Sequence, residues 1–355
     1  LFKANNSEVS VFQNLPTAYD YIRLGHPLSS ILEWTIAKSY NIASEHVISF
    51  SSQTMPIMAV LRKNLLNKTN TLITYTEKLP LDFEPMLIQR VYGYNFELKQ
   101  VENSDAVPEF NGSTIFISSQ ELLSNEEQNP NIDFHINLFE NLGSIIRITN
   151  KNANYISEIQ HVRRRESIAM TPQNTLTVLK GFVKNTIDIA QNHNRETNKK
   201  NVLKSIHKVT CTNGTAIVGS SGLSVQYAIM MGLIDDAQQN HPEKAIKFIV
   251  PTNCYGGTND QARRVAACNK NVAIVDLEVD GDNDMVNSLK TVLDSVAEQD
   301  AIPYIIAEIP TNPRVEVPDL EELKAVLNKP RKTAHNTEAV APVFILDQTF
   351  CPNIP

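Results

Sequence analysis

Residues 245–250 have the sequence Ala245-Ile246-Lys247-Phe248-Ile249-Val250, and a proline at position 251 ends this run. A short stretch rich in β-branched and aromatic residues that stops at a proline is typical of a buried β-strand. An apolar helical stretch at about 223–237 precedes it, and a helix-like segment through residue 268 follows. A strand flanked by helices is therefore the repeating feature of the last third of the chain.

The same alternation continues to residue 347. Further strands are predicted at 272–277, 304–309 and 343–347, with helices at about 285–296 and 319–327 between them. Strands that are apolar almost throughout and alternate with helices indicate a parallel sheet covered by helices on both faces. The sequence therefore predicts an α/β fold with a mostly parallel sheet.

The first third shows a weaker form of this order, with strands predicted at 71–75, 95–101 and 114–118. It is interpreted either as a degenerate duplicate of the last third or as a large insertion. The polar stretch 151–210, with the basic run His161-Val162-Arg163-Arg164-Arg165-Glu166, is predicted to be a helical linker with a solvated face. A phosphate- or partner-binding patch is the alternative. The expected domains are 1–150, the linker 151–210, and 211–355.

Composition excludes several classes of function. The 355 residues include 32 Lys and Arg against 39 Asp and Glu, a net charge of -7, which argues against binding nucleic acid through overall positive charge. No stretch approaches the ~20 apolar residues that cross a membrane, so no membrane partner is expected. The cysteines lack metal-ligand spacing, which predicts no metal site and the reduced thiols of a cytoplasmic protein. They are Cys211, Cys254, Cys268 and Cys351.

Four motifs of the last third fall where strands give way to loops, the edge at which open α/β sheets bind ligands. The first motif, at 220–223, suits an anion, because the amides at a helix N-terminus can bind it. The second, at 255–258, places an aromatic ring on a flexible turn. The third motif, at 308–313, fixes an asparagine amide between two prolines. The fourth, at 347–350, begins with an acid at the end of an apolar strand, and such an acid needs a partner when it is buried. Simple turns, a strand stop, an N-cap or a structural salt bridge are the alternatives. The motifs are Ser220-Ser221-Gly222-Leu223, Tyr255-Gly256-Gly257-Thr258, Glu308-Ile309-Pro310-Thr311-Asn312-Pro313 and Asp347-Gln348-Thr349-Phe350.

In order and spacing, these motifs resemble the Cys/Met-metabolism family of pyridoxal-phosphate-dependent enzymes. This group comprises cystathionine γ-synthase, the cystathionine β- and γ-lyases and O-acetylhomoserine sulfhydrylase. The family pattern runs Ser-Gly-Met-Ala-Ala, Tyr-Gly-Gly-Thr, Glu-Ser-Pro-x-Asn-Pro and Asp-Asn-Thr-Phe, and the match covers residues 216–352. The resemblance implies a fold-type-I, aminotransferase-like architecture with 211–355 as the cofactor-binding large domain. It implies elimination or replacement at Cβ or Cγ of sulfur amino acids or activated homoserine, which begins with removal of the Cα proton.

The resemblance also implies where the phosphate of pyridoxal 5′-phosphate is bound. Ser221 lies in the matched turn, and Gly222 and Leu223 would offer their backbone N–H groups to the phosphate. The family pattern thus assigns all three residues to cofactor binding.

The other matched residues would surround the cofactor ring. Tyr255 would stack on the ring and act as a base, and Asn312 would hydrogen-bond the ring 3′-oxygen. Asp347 would pair with the protonated ring nitrogen, which allows the ring to act as an electron sink. Tyr255 and Asp347 are therefore the expected catalytic residues, and Thr349 is expected near the cofactor.

Near the N-terminus, Tyr21-Ile22-Arg23-Leu24-Gly25-His26-Pro27 is similar to the family's Tyr-x-Arg-x-x-Asn-Pro-Thr. In the family, this Tyr and Arg reach the cofactor phosphate of a neighbouring subunit, so the resemblance implies that Tyr21 and Arg23 do so in a homo-oligomer, a dimer or tetramer. His26 and the leucine at position 28 depart from the pattern. Gln53 replaces the glycine of a second Ser-Ser-Gly-like turn, so a duplicate in the first third is expected to be inactive.

The family's covalently bound lysine follows the Asp-Asn-Thr-Phe motif, whereas the last lysine here is Lys332. We therefore expect the chain to be a fragment of an enzyme whose substrate is a small amino acid. A non-catalytic homologue, kept as a structural or regulatory subunit, is the main alternative. An unrelated α/β binding protein is another, and it would bind no phosphate-sized anion at Ser221-Gly222.

Overall fold

The computed structural model describes residues 19, 21–119, 129–184, 187, 194–212, 214–279, 284–312 and 314–352. The chain divides into two compact units, unit 1 spanning Leu1–Gln191 and unit 2 spanning Asn192–Pro355. Each unit has its own sheet with helices packed against it, which confirms the α/β class. The predicted linker 151–210 is divided between the two units.

Strands of unit 1 form one six-stranded mixed sheet in the described residues. They are β1 (Val47–Phe50), β2 (Thr71–Tyr75), β3 (Glu97–Gln100), β4 (Ser113–Ser119), β5 (Phe134–Phe139) and β6 (Gly143–Ile148). Their order across the sheet is β1-β6-β5-β4-β2-β3. The pairings β3–β2, β2–β4 and β4–β5 are parallel, whereas β6 is antiparallel to both β5 and β1.

The sheet of unit 1 is mostly parallel, as the sequence predicts, and β6 makes its two antiparallel pairings, with β5 in a hairpin and with β1. The hairpin turn contains Asn141 with φ 58° and Gly143 with φ 130°, left-handed conformations that asparagine and glycine tolerate. A Cβ on Gly143 would lie 2.2 Å from the Phe50 carbonyl oxygen, so only glycine fits there. A turn this short can join two antiparallel strands directly, whereas two parallel strands need a longer crossover connection.

Helices cover both faces of the unit 1 sheet. They are α1 (Pro27–Ser39), α2 (Met55–Asn67), α3 (Pro85–Tyr92), α4 (Ile156–Glu166) and α5 (Pro172–Lys184). Residues of α2, α3 and α4 share one buried cluster with Ile48 and Ile146, and residues of α1 and α5 share another with Val47 and Ile145. Neighbouring residues of a strand point to opposite faces, so these clusters lie on the two sides of the sheet.

The first part of the predicted linker belongs to the core of unit 1. Ile159 and Val162 of α4 and Leu176 and Leu179 of α5 are all buried, because both helices carry an apolar stripe at helical spacing. The helix α6 (Arg195–Thr210), in unit 2, is by contrast mostly exposed.

The solvated face predicted for the basic run is wrong for its buried members. Arg163 donates to Glu33 at 2.6 Å, and Glu33 also accepts from the backbone and hydroxyl of Ser49. Glu166 pairs bidentately with Arg62 at 2.5 and 2.7 Å. Ion pairing satisfies these charges inside the protein, which a pattern of charge along the sequence does not reveal.

Unit 2 contains a four-stranded sheet in which every pairing is parallel. Its strands are β7 (Ile246–Pro251), β8 (Val272–Leu277), β9 (Ile302–Glu308) and β10 (Val343–Asp347), in the order β10-β9-β7-β8. Besides α6, its helices are α7 (Gly222–Asn240), α8 (Gly256–Cys268), α9 (Met285–Glu298) and α10 (Leu320–Asn328). The parallel sheet predicted for this part of the chain is confirmed.

The two units share a strand order. The parallel series β3-β2-β4-β5 in unit 1 corresponds to β8-β7-β9-β10 in unit 2, and each series is preceded along the chain by a helix, α2 or α7. Because this strand order is common in doubly wound sheets, the duplicate and the insertion both stay predictions.

The edge strand β10 is more exposed than a strand buried on both faces. Val343 is 40% and Leu346 44% exposed, whereas all residues of β9 are buried. The apolar residues Ile217 and Val218 before α7 are 84% and 59% exposed and lie outside the strands. Near-continuous burial is therefore observed for β9 but not for β10.

Candidate functional site

The candidate site lies at the carboxyl ends of β7, β9 and β10 in unit 2. The chain leaves β7 toward Tyr255, leaves β9 at Glu308 toward Asn312, and leaves β10 at Asp347. Because the strands are parallel, these ends share one edge of the sheet, as expected from the sequence.

The helix α7 begins with a capping box. Ser221 is the N-cap, its hydroxyl accepts from the Ser224 backbone at 3.1 Å, and the Ser224 hydroxyl accepts from the Ser221 backbone at 2.9 Å. Gly222 and Leu223 occupy the next two positions, whose N–H groups have no acceptor within the helix. A Cβ on Gly222 would meet no atom within 4 Å. The start of α7 thus offers backbone amides beside open space, the arrangement that suits a phosphate.

Tyr255 precedes the first residue of α8, and a buried acid fixes its backbone. Tyr255 is the N-cap residue, and its backbone N–H donates to Glu308 Oε1 at 2.7 Å. The Tyr255 side chain is 38% exposed, and a Cβ on Gly256 would again meet no atom within 4 Å. The aromatic ring therefore stands at an accessible turn that is anchored to the end of β9.

Asn312 lies in a loop held by its own hydrogen bonds. The Thr311 backbone donates to the Glu316 carbonyl at 3.0 Å, and the Thr311 hydroxyl accepts from the Glu316 backbone at 3.0 Å. Asn312 itself is half-buried. The loop presents this amide close to the end of β9.

Asp347 is half-buried, not enclosed as the sequence suggests, because β10 is the edge strand of the described sheet. Its Oδ1 accepts from the Thr349 backbone at 2.9 Å and from the Thr349 hydroxyl at 2.5 Å. Thr349 thus orients the carboxylate, a role that the sequence motif alone does not specify. The Asp347 carboxylate is open to a cationic group from solution.

Side-chain hydrogen bonds link the two helix starts. Gln261 of α8 donates to the Leu223 carbonyl of α7 at 3.0 Å, and Thr258 donates to Gln226 at 3.2 Å. The backbone of Ile309 donates to the Asp347 carbonyl at 3.1 Å and so links β9 to β10. All four motifs are consequently tied to neighbouring segments of one structure.

Glu308 belongs to one of the four motifs, but the sequence pattern gives it no role. The structure places it in the centre of the site, 8% exposed, with Oε2 buried and without a hydrogen bond of regular geometry. Burial raises the pKa of Glu308, the backbone amides of Tyr255 and Asn312 oppose that rise, and the negative charge of Asp347 adds to it. An acid at the end of an apolar strand is the signal that would have identified it.

Cys254 neighbours this acid. Burial raises the pKa of the Cys254 thiol to about 11, and the negative charge of Glu308 contributes to the rise. All four cysteines are free, and no cluster of metal-ligating side chains occurs among the described residues.

Tyr21 and Arg23 lie in unit 1, outside this group of residues. The Arg23 guanidinium stands 5.4 Å from the centre of the Tyr21 ring, and Tyr21 is 58% exposed. Their expected contact with a cofactor phosphate stays a prediction.

The charges and hydrogen-bonding groups of these residues suit those of pyridoxal 5′-phosphate. The amides of Gly222 and Leu223 suit its phosphate, and no protein atom lies within 4 Å of a Cβ placed on Gly222 or Gly256. The accessible Asp347 carboxylate suits the protonated ring nitrogen.

Comparison with known proteins gives a fold-level likeness only. No protein-family model and no curated protein matches the chain. Among solved structures, it is similar to metB from Corynebacterium glutamicum, with 11% identity, a TM-score of 0.32 and coverage of 58% of this chain and 62% of that chain. A cystathionine gamma-lyase from Lactobacillus plantarum, complexed with L-serine, has 13% identity, a TM-score of 0.31 and coverage of 54% and 61%. An L-threonine-O-3-phosphate decarboxylase from Porphyromonas gingivalis has 9% identity, a TM-score of 0.29 and coverage of 51% and 66%. Likenesses at these TM-scores support no argument about the activity of this chain.

None of the helices within the described ranges combines the length and apolar character needed to cross a membrane.

Proposed function

We propose that unit 2 is the pyridoxal-phosphate-binding part of a fold-type-I enzyme that acts on amino acids. The reaction class is elimination or replacement at Cβ or Cγ of sulfur amino acids or activated homoserine. This proposal rests on the residues of unit 2 and on the family pattern they resemble.

One observation carries the proposal. The free amides at the start of α7, the accessible Tyr255 ring, the Asn312 amide and the Asp347 carboxylate belong to segments that are hydrogen-bonded to one another at one end of a parallel sheet. An anion site, an aromatic surface and an acid at that edge match the phosphate, the ring and the ring nitrogen of a single ligand.

When bound, pyridoxal 5′-phosphate supplies an electron sink for negative charge that develops at the substrate Cα. The chain's residues bind and orient the ring. Asp347, held by Thr349, would keep a proton on the ring nitrogen, and the Asn312 amide would donate to the ring oxygen. The Tyr255 phenol, on an anchored turn, would stack on the ring and would act as a base toward the Cα proton.

We further propose a homo-oligomer in which Tyr21 and Arg23 reach the phosphate of a neighbouring subunit. The exposed Tyr21 ring and its contact with Arg23 support a pair that binds outside its own unit. The free cysteines support a reducing compartment such as the cytoplasm.

A non-catalytic, structural or regulatory role is the alternative, and unit 1 favours it for its own part of the chain. Gln53 donates to the Phe139 carbonyl at 3.0 Å, and Ser144 donates to the Ser52 carbonyl at 2.6 Å. The turn before α2 is thus closed by the chain's own groups, unlike the turn at Ser221.

A binding experiment tests the proposal. The full chain is titrated with pyridoxal 5′-phosphate, with pyridoxal and with inorganic phosphate, and each affinity is measured by equilibrium dialysis. We expect pyridoxal 5′-phosphate to bind most tightly and phosphate to compete with it. Equal affinity for pyridoxal with and without its phosphate would contradict an anion site at α7.

A further inference from the structure

We propose that Glu308 is a positioning residue that holds the Tyr255 turn against the cofactor ring. Together with Asp347, it also supplies negative charge that favours the protonated ring nitrogen. This inference rests on the proposed function, since it assigns a role toward the same ligand.

The first argument is the hydrogen bond to Tyr255. Glu308 Oε1 accepts from the Tyr255 backbone at 2.7 Å, at the N-cap of a thirteen-residue helix. The Tyr255 side chain makes no capping hydrogen bond, so this acid fixes the residue that carries the ring. Without it, a backbone amide at the turn would lose its charged acceptor.

The second argument is the position of Glu308 relative to Asp347. The two residues are register partners on the parallel strands β9 and β10, so their side chains leave the sheet on the same face. The carboxylates of register partners on adjacent strands repel each other when both are ionised. A cation bound close to both of them offsets this repulsion. The protonated ring nitrogen is such a cation.

The second carboxylate oxygen of Glu308, Oε2, supports the same role. Glu308 is more than nine-tenths buried, and its Oε2 has no hydrogen bond of regular geometry, although the Asn312 backbone amide is close enough to lower the pKa of Glu308. A buried acceptor without a partner costs stability unless a ligand or ordered water satisfies it. Burial and Asp347 raise the pKa of Glu308 together, which agrees with a site that is completed by a positive group.

The charges that act on Glu308 define the expected pH dependence. Among the described residues, Asp347 of β10 acts on Glu308, while Cys254, in the turn before α8, feels the Glu308 charge. Ionised Glu308 favours a bound cation. Affinity for the cofactor should therefore decrease as pH falls through the raised pKa of Glu308.

Two variants separate position from charge. Glu308→Gln keeps an acceptor for the Tyr255 amide but removes the charge, whereas Glu308→Ala removes both. Glu243→Gln is the matched control, because this exposed residue precedes β7 at the opposite end of the strand. Binding of pyridoxal 5′-phosphate to the full chain is followed by dialysis and by the circular dichroism of the bound cofactor, between pH 5 and 8.5.

We expect Glu308→Ala to weaken binding by about tenfold, the loss typical of one charged hydrogen bond, and to abolish the cofactor's circular dichroism. Glu308→Gln should keep that dichroism, while its affinity converges with that of the wild type as pH decreases. Wild-type dichroism and affinity in Glu308→Ala, or parallel pH profiles of Glu308→Gln and the wild type, would overturn the inference.

Alkylation of Cys254 provides a readout that needs no cofactor. Because Glu308 helps to raise the pKa of Cys254, Glu308→Gln should speed iodoacetamide modification of Cys254 at pH 8.5, followed by peptide mass spectrometry. The rate should rise about threefold for each half unit of decrease in the pKa. If the wild type binds no pyridoxal 5′-phosphate, the proposed function fails, whereas an unchanged Cys254 rate in Glu308→Gln overturns the inference about the Glu308 charge.

Discussion

Glu308 and Asp347 are register partners at the ends of β9 and β10, and the backbone of the next residue, Ile309, donates to the Asp347 carbonyl at 3.1 Å. One acid is buried and holds the Tyr255 turn, and the other is half-buried and held by Thr349. Two acids with different surroundings at the carboxyl edge of a parallel sheet form a site that favours a cation.

Replacing Asp347 tests the acid that faces the ligand. We expect Asp347→Ala to weaken binding of pyridoxal 5′-phosphate by about 10- to 100-fold, the range for loss of a charge-assisted hydrogen bond. The fold should persist, because Asp347 is half-buried on an edge strand. Equilibrium dialysis measures the affinity, and Glu243→Gln is the control. Unchanged affinity would contradict the role of Asp347.

Replacing Gly222 tests the anion site without disturbing the fold. A methyl group at this position meets no atom of the protein, so Gly222→Ala should raise the free energy of unfolding by about 0.5 kcal/mol through the lower entropy of the unfolded chain. The same methyl group reduces the space for a phosphate, and affinity should fall.

Gly232→Ala is the matched control, since Gly232 lies in the same helix, is exposed and also has open space at its Cβ position. This control should gain stability and keep its affinity for the phosphate. Equal phosphate affinity in both variants would contradict binding at the start of α7.

Removing the buried ion pair of unit 1 should be costly. Arg62→Ala leaves the Glu166 carboxylate buried without its bidentate partner, so the free energy of unfolding should decrease by about 3–5 kcal/mol. Trp34, the one tryptophan of the chain, lies in α1 and reports on unit 1 during urea unfolding. The exposed pair of Arg263 with Asp276 is the comparison, and Arg263→Ala should change stability by less than about 1 kcal/mol. Equal effects of the two replacements would contradict the account.

His135 predicts how unit 1 responds to acid. Burial lowers the pKa of His135 to about 3, and Arg147, its register partner on β6, adds to the decrease. The unfolded chain then binds more protons than the folded chain between about pH 6.5 and 3. Stability contributed by neutral His135 is complete above that range and is lost as pH falls, by about 1.4 kcal/mol per pH unit.

Urea unfolding followed by Trp34 fluorescence at several pH values measures this slope. His135→Phe should flatten it, whereas His335→Gln, which replaces an exposed histidine, should leave it unchanged. The same slope in His135→Phe and the wild type would show that other groups cause the acid response.

The sequence predicts the parallel half of the fold well and the rest less well. An apolar strand such as β9 predicts burial on both faces of the sheet. The alternation of such strands with helices predicts the parallel sheet of unit 2. The hairpin of β5 and β6 depends on the left-handed turn at Asn141 and Gly143, which strand periodicity does not show. The pairs Arg62–Glu166 and Arg163–Glu33 join residues more than a hundred positions apart, so a local charge pattern suggests solvent where the fold provides partners.

The candidate site is also predictable from the sequence only in part. Residues at strand ends, such as Tyr255 and Asp347, are found from the order of the motifs, because topology brings the ends of parallel strands together. The bond from Tyr255 to Glu308 joins separate segments, and the exposure of Asp347 depends on the position of β10 in the sheet. Neither is visible in a linear sequence.

A crystal structure of the full chain soaked with pyridoxal 5′-phosphate tests the central claim most directly. We predict density for its phosphate against the backbone amides of Gly222 and Leu223, and for its ring nitrogen within hydrogen-bonding distance of Asp347. Density confined to other surfaces, or a ring nitrogen turned away from Asp347, would contradict the assignment of this site.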